Sequence, residues 1–164
     1  MRATGLTVAM AAALAAAGCV RNPPPAAASE AGAQSPAQLV AARQSAFHLS
    51  AAAMGSMKAA IDRGDDPKSQ AFAARGVAKW AKALPATFPA GTASVTPSRA
   101  RAEIWANRAD FEAKAAAYAG AADALVAAAA GGDQAAFATA HAATGATCKA
   151  CHDLFQAPQQ PTAR

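Results

Sequence analysis

The residues of this chain whose types and spacing could do chemistry lie near its C-terminus, in the run Cys148-Lys149-Ala150-Cys151-His152. The pattern C-x-x-C-H is the attachment sequence for a c-type haem. On a helix the two thiols sit about one turn apart, matching the separation of the two vinyl groups to which they would add. The adjacent imidazole would then project under the macrocycle as a ligand to iron. A structural disulfide, a thioredoxin-like redox pair and a zinc site use similar spacings. A thioredoxin-type pair belongs in a βαβ context that this sequence lacks, and zinc would need a fourth protein ligand beyond Cys148, Cys151 and His152. His141 precedes His152 by eleven residues on the same expected helix. That is about 16 Å of helical rise, too far to share one iron.

Placing such a group calls for elements around it, and the composition says which kind. The chain is 54% hydrophobic but 5% aromatic. Much of the apolar share is alanine, a strong helix former with little side-chain volume, which predicts an all-helical protein with a thin core. A domain of roughly 120 residues buries only about two-thirds of its unfolded surface, so a large apolar cofactor at the centre would complete the core. Ser35-Pro36 forms a helix start, and Val40, Phe47, Met54 and Ile61 then recur every seven residues, with Met57 between, up to Gly64. Asp66-Pro67 opens a second helix with Phe72, Gly76, Trp80 and Leu84 expected on its inner face before Pro85. So short a turn makes these two helices antiparallel. Pro85, Pro89, Gly91 and Pro97 mark a long irregular crossing stretch. A third helix carries Ile104, Phe111, Tyr118 and Leu125 at heptad spacing until Gly131-Gly132. Asp133 caps the fourth, on which Phe137, His141, Thr144, Cys148, Cys151 and Phe155 alternate four and three residues apart and form the bundle-facing stripe.

These elements, in this order, resemble the class II cytochromes c, specifically the cytochrome c′ family, over residues 36–157. Beside the C-terminal haem motif, the supporting segments are Arg43-Gln44-Ser45-Ala46-Phe47, Met54-Gly55, Phe88-Pro89-Ala90-Gly91-Thr92, Glu103-Ile104-Trp105 and Ala143-Thr144-Gly145. The resemblance implies an antiparallel up-down four-helix bundle, monomeric or homodimeric, enclosing one haem c bound through Cys148 and Cys151 with His152 as proximal ligand. It further implies that Arg43 and Gln44 meet the haem propionates, as a guanidinium can donate two bonds to a carboxylate. Glu103 either touches the haem edge or supports a helix N-terminus. In the family, the residue at the position of Phe47 sets the coordination of the iron. A Met there ligates, whereas Phe has no lone pair, so a five-coordinate, high-spin iron is expected. His48, one residue on, points about 100° away from that face, and surface or packing roles are expected for it and His141. Two positions depart from the family pattern. Gln156 stands where an Arg or Lys is usual, which bears on the proximal side of the iron. Ala102 replaces a proline, which would let the third helix begin earlier.

The expected role is electron transfer or the binding of nitric oxide and carbon monoxide, without substrate turnover. A dedicated nitric-oxide-sequestering protein and a low-spin electron carrier are the alternatives. A peroxidase would want polar acid and base groups beside the open iron position, where Phe47, Met54 and alanines are expected. The formal charge of +5 is scattered among acidic residues rather than gathered into a stripe, which argues against nucleic acid and leaves a small redox protein as partner. Met1-Arg2 and the apolar run Leu6 to Ala17 read as an export signal over residues 1–18, too short to span a bilayer. Ala16-Ala17-Gly18-Cys19 resembles a bacterial lipobox, with Ala16 where Leu is preferred and Leu14 two residues further back; cleavage within Ala15-Ala16-Ala17 is the competing reading. A Pro/Ala-rich tether over 19–35 and a short tail over 158–164 flank the domain. The protein is thus expected in the periplasm, anchored through a lipidated Cys19. Mass spectrometry of the mature N-terminus should find an acylated Cys19, and an unmodified terminus elsewhere would make the chain a plain soluble periplasmic protein.

Overall fold

A computed structural model describes residues 34–159. The expected export signal, Cys19 and the tether up to residue 33 lie outside the described residues, as does the tail beyond residue 159. Among the described residues the α-helices are α1 (Pro36–Arg63), α2 (Ala71–Ala83), α3 (Glu103–Ala106), α4 (Arg108–Gly131) and α5 (Gln134–Phe155). α3 is a single turn at the foot of α4, so four long helices form the body. α1 and α4 are diagonal, and each packs on both α2 and α5.

Local sequence explains where each helix begins and ends. Ser35 and Gln38 form a reciprocal capping box, Ser35 Oγ accepting from the Gln38 amide at 3.2 Å and Gln38 Oε1 from the Ser35 amide at 2.8 Å. Pro36 sits in the first turn, where its missing N–H costs nothing. Gly64, at φ 71°, adopts the left-handed conformation that stops α1, and Gly132, at φ 78°, does the same for α4. Asp133 caps α5 by accepting from the Ala136 amide at 2.7 Å.

Long-range hydrogen bonds fix the directions. At one end Arg43, early in α1, donates to the Thr87 carbonyl just past α2. Arg108, which opens α4, donates to the carbonyls of Phe88 and Pro85, and the Arg101 amide donates to the Phe155 carbonyl at the close of α5. At the other end Gln134, opening α5, reaches the Ile61 carbonyl near the end of α1. Helix starts and ends therefore alternate, giving the antiparallel up-down bundle expected.

The core divides into two unequal halves. Toward the Gly64 end, Ala60, Ala74, Ala122 and Ala129 are buried with Met57, Val77, Leu125 and Phe137, and such small side chains allow close approach of the helices. Toward the other end lie Phe88, Phe111, Phe155 and Tyr118, with Phe47, Trp80 and Trp105 packed against them. Edge-to-face pairs join Phe88 to Phe111 at 5.1 Å and Phe111 to Phe155 at 5.4 Å.

Three expectations about the helices need correction. On α2 the inner stripe is Ala74, Val77, Ala78 and Ala81, continued by Leu84 at its C-cap, which is buried as expected; Phe72 is 83% exposed and Gly76 is exposed too, while Trp80 is half-buried. A 3-10 turn over Pro67–Gln70 precedes α2 and winds at a different pitch, and the face toward α4 takes small residues rather than the largest apolar ones. The third helix is interrupted at Asn107, whose ψ of 53° separates α3 from α4, although Ile104, Phe111, Tyr118 and Leu125 all remain buried. It does not begin early either, since α3 starts at Glu103 with Ala102 as its cap. Replacing fully buried Leu125 with Ala should lower unfolding stability by about 3 kcal/mol. Phe72→Ala should stay within about 0.5 kcal/mol, and urea denaturation of both variants checks the contrast.

Candidate functional site

The aromatic half of the bundle lines a half-open cavity of about 900 Å³, near the upper end of the range for small-molecule and cofactor sites. α5 delivers the chemical motif to it. Phe137, Thr144 and Phe155 are buried anchors of the α5 stripe, and Thr144 satisfies its hydroxyl on the Ala140 carbonyl at 2.8 Å. In register with them, Cys148 and Cys151 are half-buried free thiols on the cavity wall. Burial pushes both thiols above their ordinary pKa. His152 lines the same wall beside solvent. Burial, reinforced by nearby Arg99 and partly offset by Asp153, lowers its pKa. The neutral imidazole, the form that can offer a lone pair to a metal, is thereby favoured. Among the described residues no three His, Cys, Asp or Glu side chains converge as a chelating cluster. The motif presents one imidazole and two thiols spread along a helix, a donor set suited to attachment and axial ligation.

α1 supplies the opposite wall. Phe47 faces His152 with ring centroids 6.3 Å apart and packs edge-on against Trp80 at 5.2 Å. Met54 also lines the cavity, whereas Met57 is fully buried in the alanine-rich half. His48 sits exposed at the rim, and His141 Nε2 lies 2.9 Å from the Met54 carbonyl, tying α5 to α1.

Arg43 is 3% exposed, which makes it a buried cation rather than a solvated one. Its guanidinium donates to the Thr87 carbonyl at 3.1 Å, Thr92 Oγ1 at 3.0 Å and Ser98 Oγ at 3.3 Å, and stacks 4.0 Å from the Phe88 centroid. Gln44 donates to the Pro97 carbonyl at 2.9 Å. These two residues thus hold the crossing stretch against α1 while lining the cavity. No carboxylate lies within ion-pair distance of Arg43 among the described residues, and burial lowers its pKa. Arg43, Lys58, Arg99 and Lys114 all line the cavity, with no Asp or Glu among its lining residues. An apolar chamber with cations and no acid fits a large hydrophobic group bearing carboxylates, as a haem with two propionates does.

Glu103 is not among the residues lining the cavity; it pairs with Arg101 at 3.1 Å in the first turn of α3. At position 156, the departure noted from the family pattern, Gln156 Oε1 accepts from Arg99 Nη2 at 3.3 Å, so a positive charge reaches this region from the crossing stretch. Several polar lining residues carry no motif in the sequence for a role at the site, among them Lys58, Arg99, Lys114 and the pair Ser50 and Tyr118, linked at 3.0 Å. The signal available was a tyrosine within an apolar heptad, which when buried usually needs a polar partner.

A sequence model of the family described as Cytochrome C' matches residues 38–156. The chain is 38% identical over 124 residues to the cytochrome c′ of Pararhodospirillum photometricum, covering 74% of this chain and 98% of that protein. It superposes on the crystal structure of cytochrome c′ from Thermochromatium tepidum with a TM-score of 0.71 and 34% identity, over 76% of this chain and 98% of that one. A nitric oxide complex of a variant cytochrome c prime from Alcaligenes xylosoxidans aligns with a TM-score of 0.68 and 31% identity, over 75% and 97% of the two chains.

The bonds of Arg43 carry their own prediction. Arg43→Met should cost about 3 kcal/mol by releasing the crossing stretch, and Arg43→Lys should recover less than half because a single ammonium cannot reproduce the fork. Urea midpoints for the two variants measure this, and an unchanged midpoint for the Met variant would show that the crossing stretch is held elsewhere.

Proposed function

The chain belongs to the cytochrome c′ family, and from that premise we propose that it is an exported haem protein acting at a five-coordinate, high-spin iron. Its cofactor is covalent haem c, and its role is electron transfer or gas binding. When bound, the haem supplies a one-electron couple and an axial position at which a small ligand can coordinate. In this reading Cys148 and Cys151 hold the group through thioethers and His152 ligates from the α5 side. Arg43 and Gln44 take the propionates, the buried guanidinium gaining the carboxylate partner it otherwise lacks.

The observation that carries the coordination reading is the ring edge-on to His152 at the cavity. Phe47 stands there, 6.3 Å away between centroids, with no atom able to donate to a metal. Its packing on Trp80 limits how far it can swing aside. Nitric oxide and carbon monoxide are the ligands proposed, entering slowly past this ring in the ferrous state. The nitric oxide complex of the Alcaligenes protein supports that choice. A low-spin electron carrier is the second reading, since Met54 also lines the cavity. Met54 is seven residues beyond Phe47, about 10 Å of helical rise, and must leave its place to ligate.

The site of action is proposed to be the periplasm, with the domain tethered through a lipidated Cys19 and exchanging electrons with a small partner protein. Among the described residues no helix is long and apolar enough to cross a membrane. The unit is proposed to act as a monomer or a homodimer, with Leu49 and Phe72, 72% and 83% exposed, as apolar side chains a second copy could cover. The test is the ferric absorption and magnetic circular dichroism spectrum of purified holoprotein. Wild type should be high-spin, and Phe47→Met should add a low-spin component with a methionine-to-iron charge-transfer band. That band in the wild-type protein would assign it to the low-spin branch instead.

A further inference from the structure

The cavity wall is largely aromatic and aliphatic, and within it Ser50 of α1 and Tyr118 of α4 place two hydroxyls 3.0 Å apart. Ser50 follows Phe47 by three residues, so it shares the helix face that Phe47 presents to the cavity. Tyr118 is 6% exposed. Burial, partly opposed by the bond to Ser50, raises its phenol pKa, so the group keeps its proton at neutral pH.

The pair holds one proton more than it uses. Each hydroxyl carries one proton and can accept two bonds, and the contact between the oxygens consumes a single proton whichever of them donates. The second proton has no acceptor among the described residues, for neither hydroxyl makes another hydrogen bond. Ser50 does not make the bond back to the carbonyl four residues earlier that Ser45 makes to Ala41 on the outer face of the same helix. The pair is part-buried and lines the chamber rather than a packed core, so its spare proton is available to a guest held there.

We infer that the Ser50–Tyr118 pair is a hydrogen-bond donor to the terminal atom of a diatomic ligand held on the Phe47 side of the cavity, and so a specificity device within it. The inference rests on the gas-binding reading above. Phe47 limits access by size, while the hydroxyl pair favours whichever small ligand accumulates negative charge on its outer atom. Nitric oxide should benefit more than carbon monoxide. Losing both hydroxyls should speed nitric oxide release by about threefold to tenfold, the range for one neutral hydrogen bond, and leave carbon monoxide release nearly unchanged.

The experiment uses full-length holoprotein, reduced and equilibrated with carbon monoxide, and reads the infrared C–O stretch in H2O and D2O. Wild type should show a stretch that moves on deuteration, because the donor proton exchanges. The double variant Ser50→Ala/Tyr118→Phe should shift the stretch to higher frequency and lose the isotope effect; Ser45→Ala should behave as wild type. The wild-type isotope shift needs no variant to fold and stands as a test by itself. A carbonyl band that forms but is identical in all proteins and blind to D2O overturns the hydroxyl assignment while leaving gas binding intact. If no carbonyl band forms in any protein, the gas-binding reading fails and takes this inference with it.

Discussion

Volume is the constraint on which the rest of this structure depends. Alanine lets helices form readily and approach closely, and near the Gly64 end Ala60, Ala74, Ala122 and Ala129 bring them together around Leu125 and Phe137. The same composition cannot fill the other end, where a few aromatic residues frame a cavity of about 900 Å³. Native interiors are close-packed, and a large apolar group seated there supplies the dispersion contacts that these side chains cannot make with one another. The haem of this family is therefore a structural element as much as a functional one. Its binding couples to folding, because a group that binds only the folded chain stabilises it.

Electrostatics at that end follows from the same enclosure. Arg43 is withdrawn from water, and its bonds to Thr87, Thr92 and Ser98 occupy three of its five N–H donors without neutralising its charge. A buried charge with no counter-charge is unfavourable unless something supplies one. Arg99 and Lys114 add to the positive character of the cavity wall, as does Lys58, which Asp62 pairs from outside the lining, and no acid stands among the lining residues themselves. The chamber is thus built for an apolar body with anionic edges, and the lowered proton affinity of His152 fits the same field.

Much of the architecture was legible because it is written in local, repetitive signals. Ser35-Pro36, Gly64 and Asp133 act through their own backbone neighbourhood, and the heptads on α1 and α4 survive folding because each faces one continuous interior. The phase of α2 was not legible: Phe72 is the largest apolar side chain on that helix apart from Trp80, but the interior took alanines instead. No single-helix pattern reports that two backbones will come close. The break at Asn107 comes just before Arg108, which reaches back to Pro85 and Phe88, a contact made only in three dimensions. At the site, C-x-x-C-H stood out because its chemistry fixes its spacing, whereas the Ser50–Tyr118 contact joins positions 68 residues apart and has no spacing to find.

The crossing stretch emerges as the element that ties these features together. It receives the bonds of Arg43, Gln44 and Arg108, and it contributes Arg99, whose Nε donates to the Ala157 carbonyl and whose Nη2 donates to Gln156 Oε1. The Ala157 amide returns a bond to the Arg99 carbonyl, and Ala100 bridges to Gln156. A cation carried on α5 at position 156 would be fixed relative to His152 by the helix itself. Carried instead by Arg99, it is fixed by a short antiparallel contact between loop and helix end, so the field at His152 depends on how firmly that stretch is docked. Arg43 docks it from the α1 side, on the same helix as Phe47. The two walls of the cavity are therefore coupled through one irregular segment, and a change in its docking reaches the charge beside His152 and the packing of α1 together.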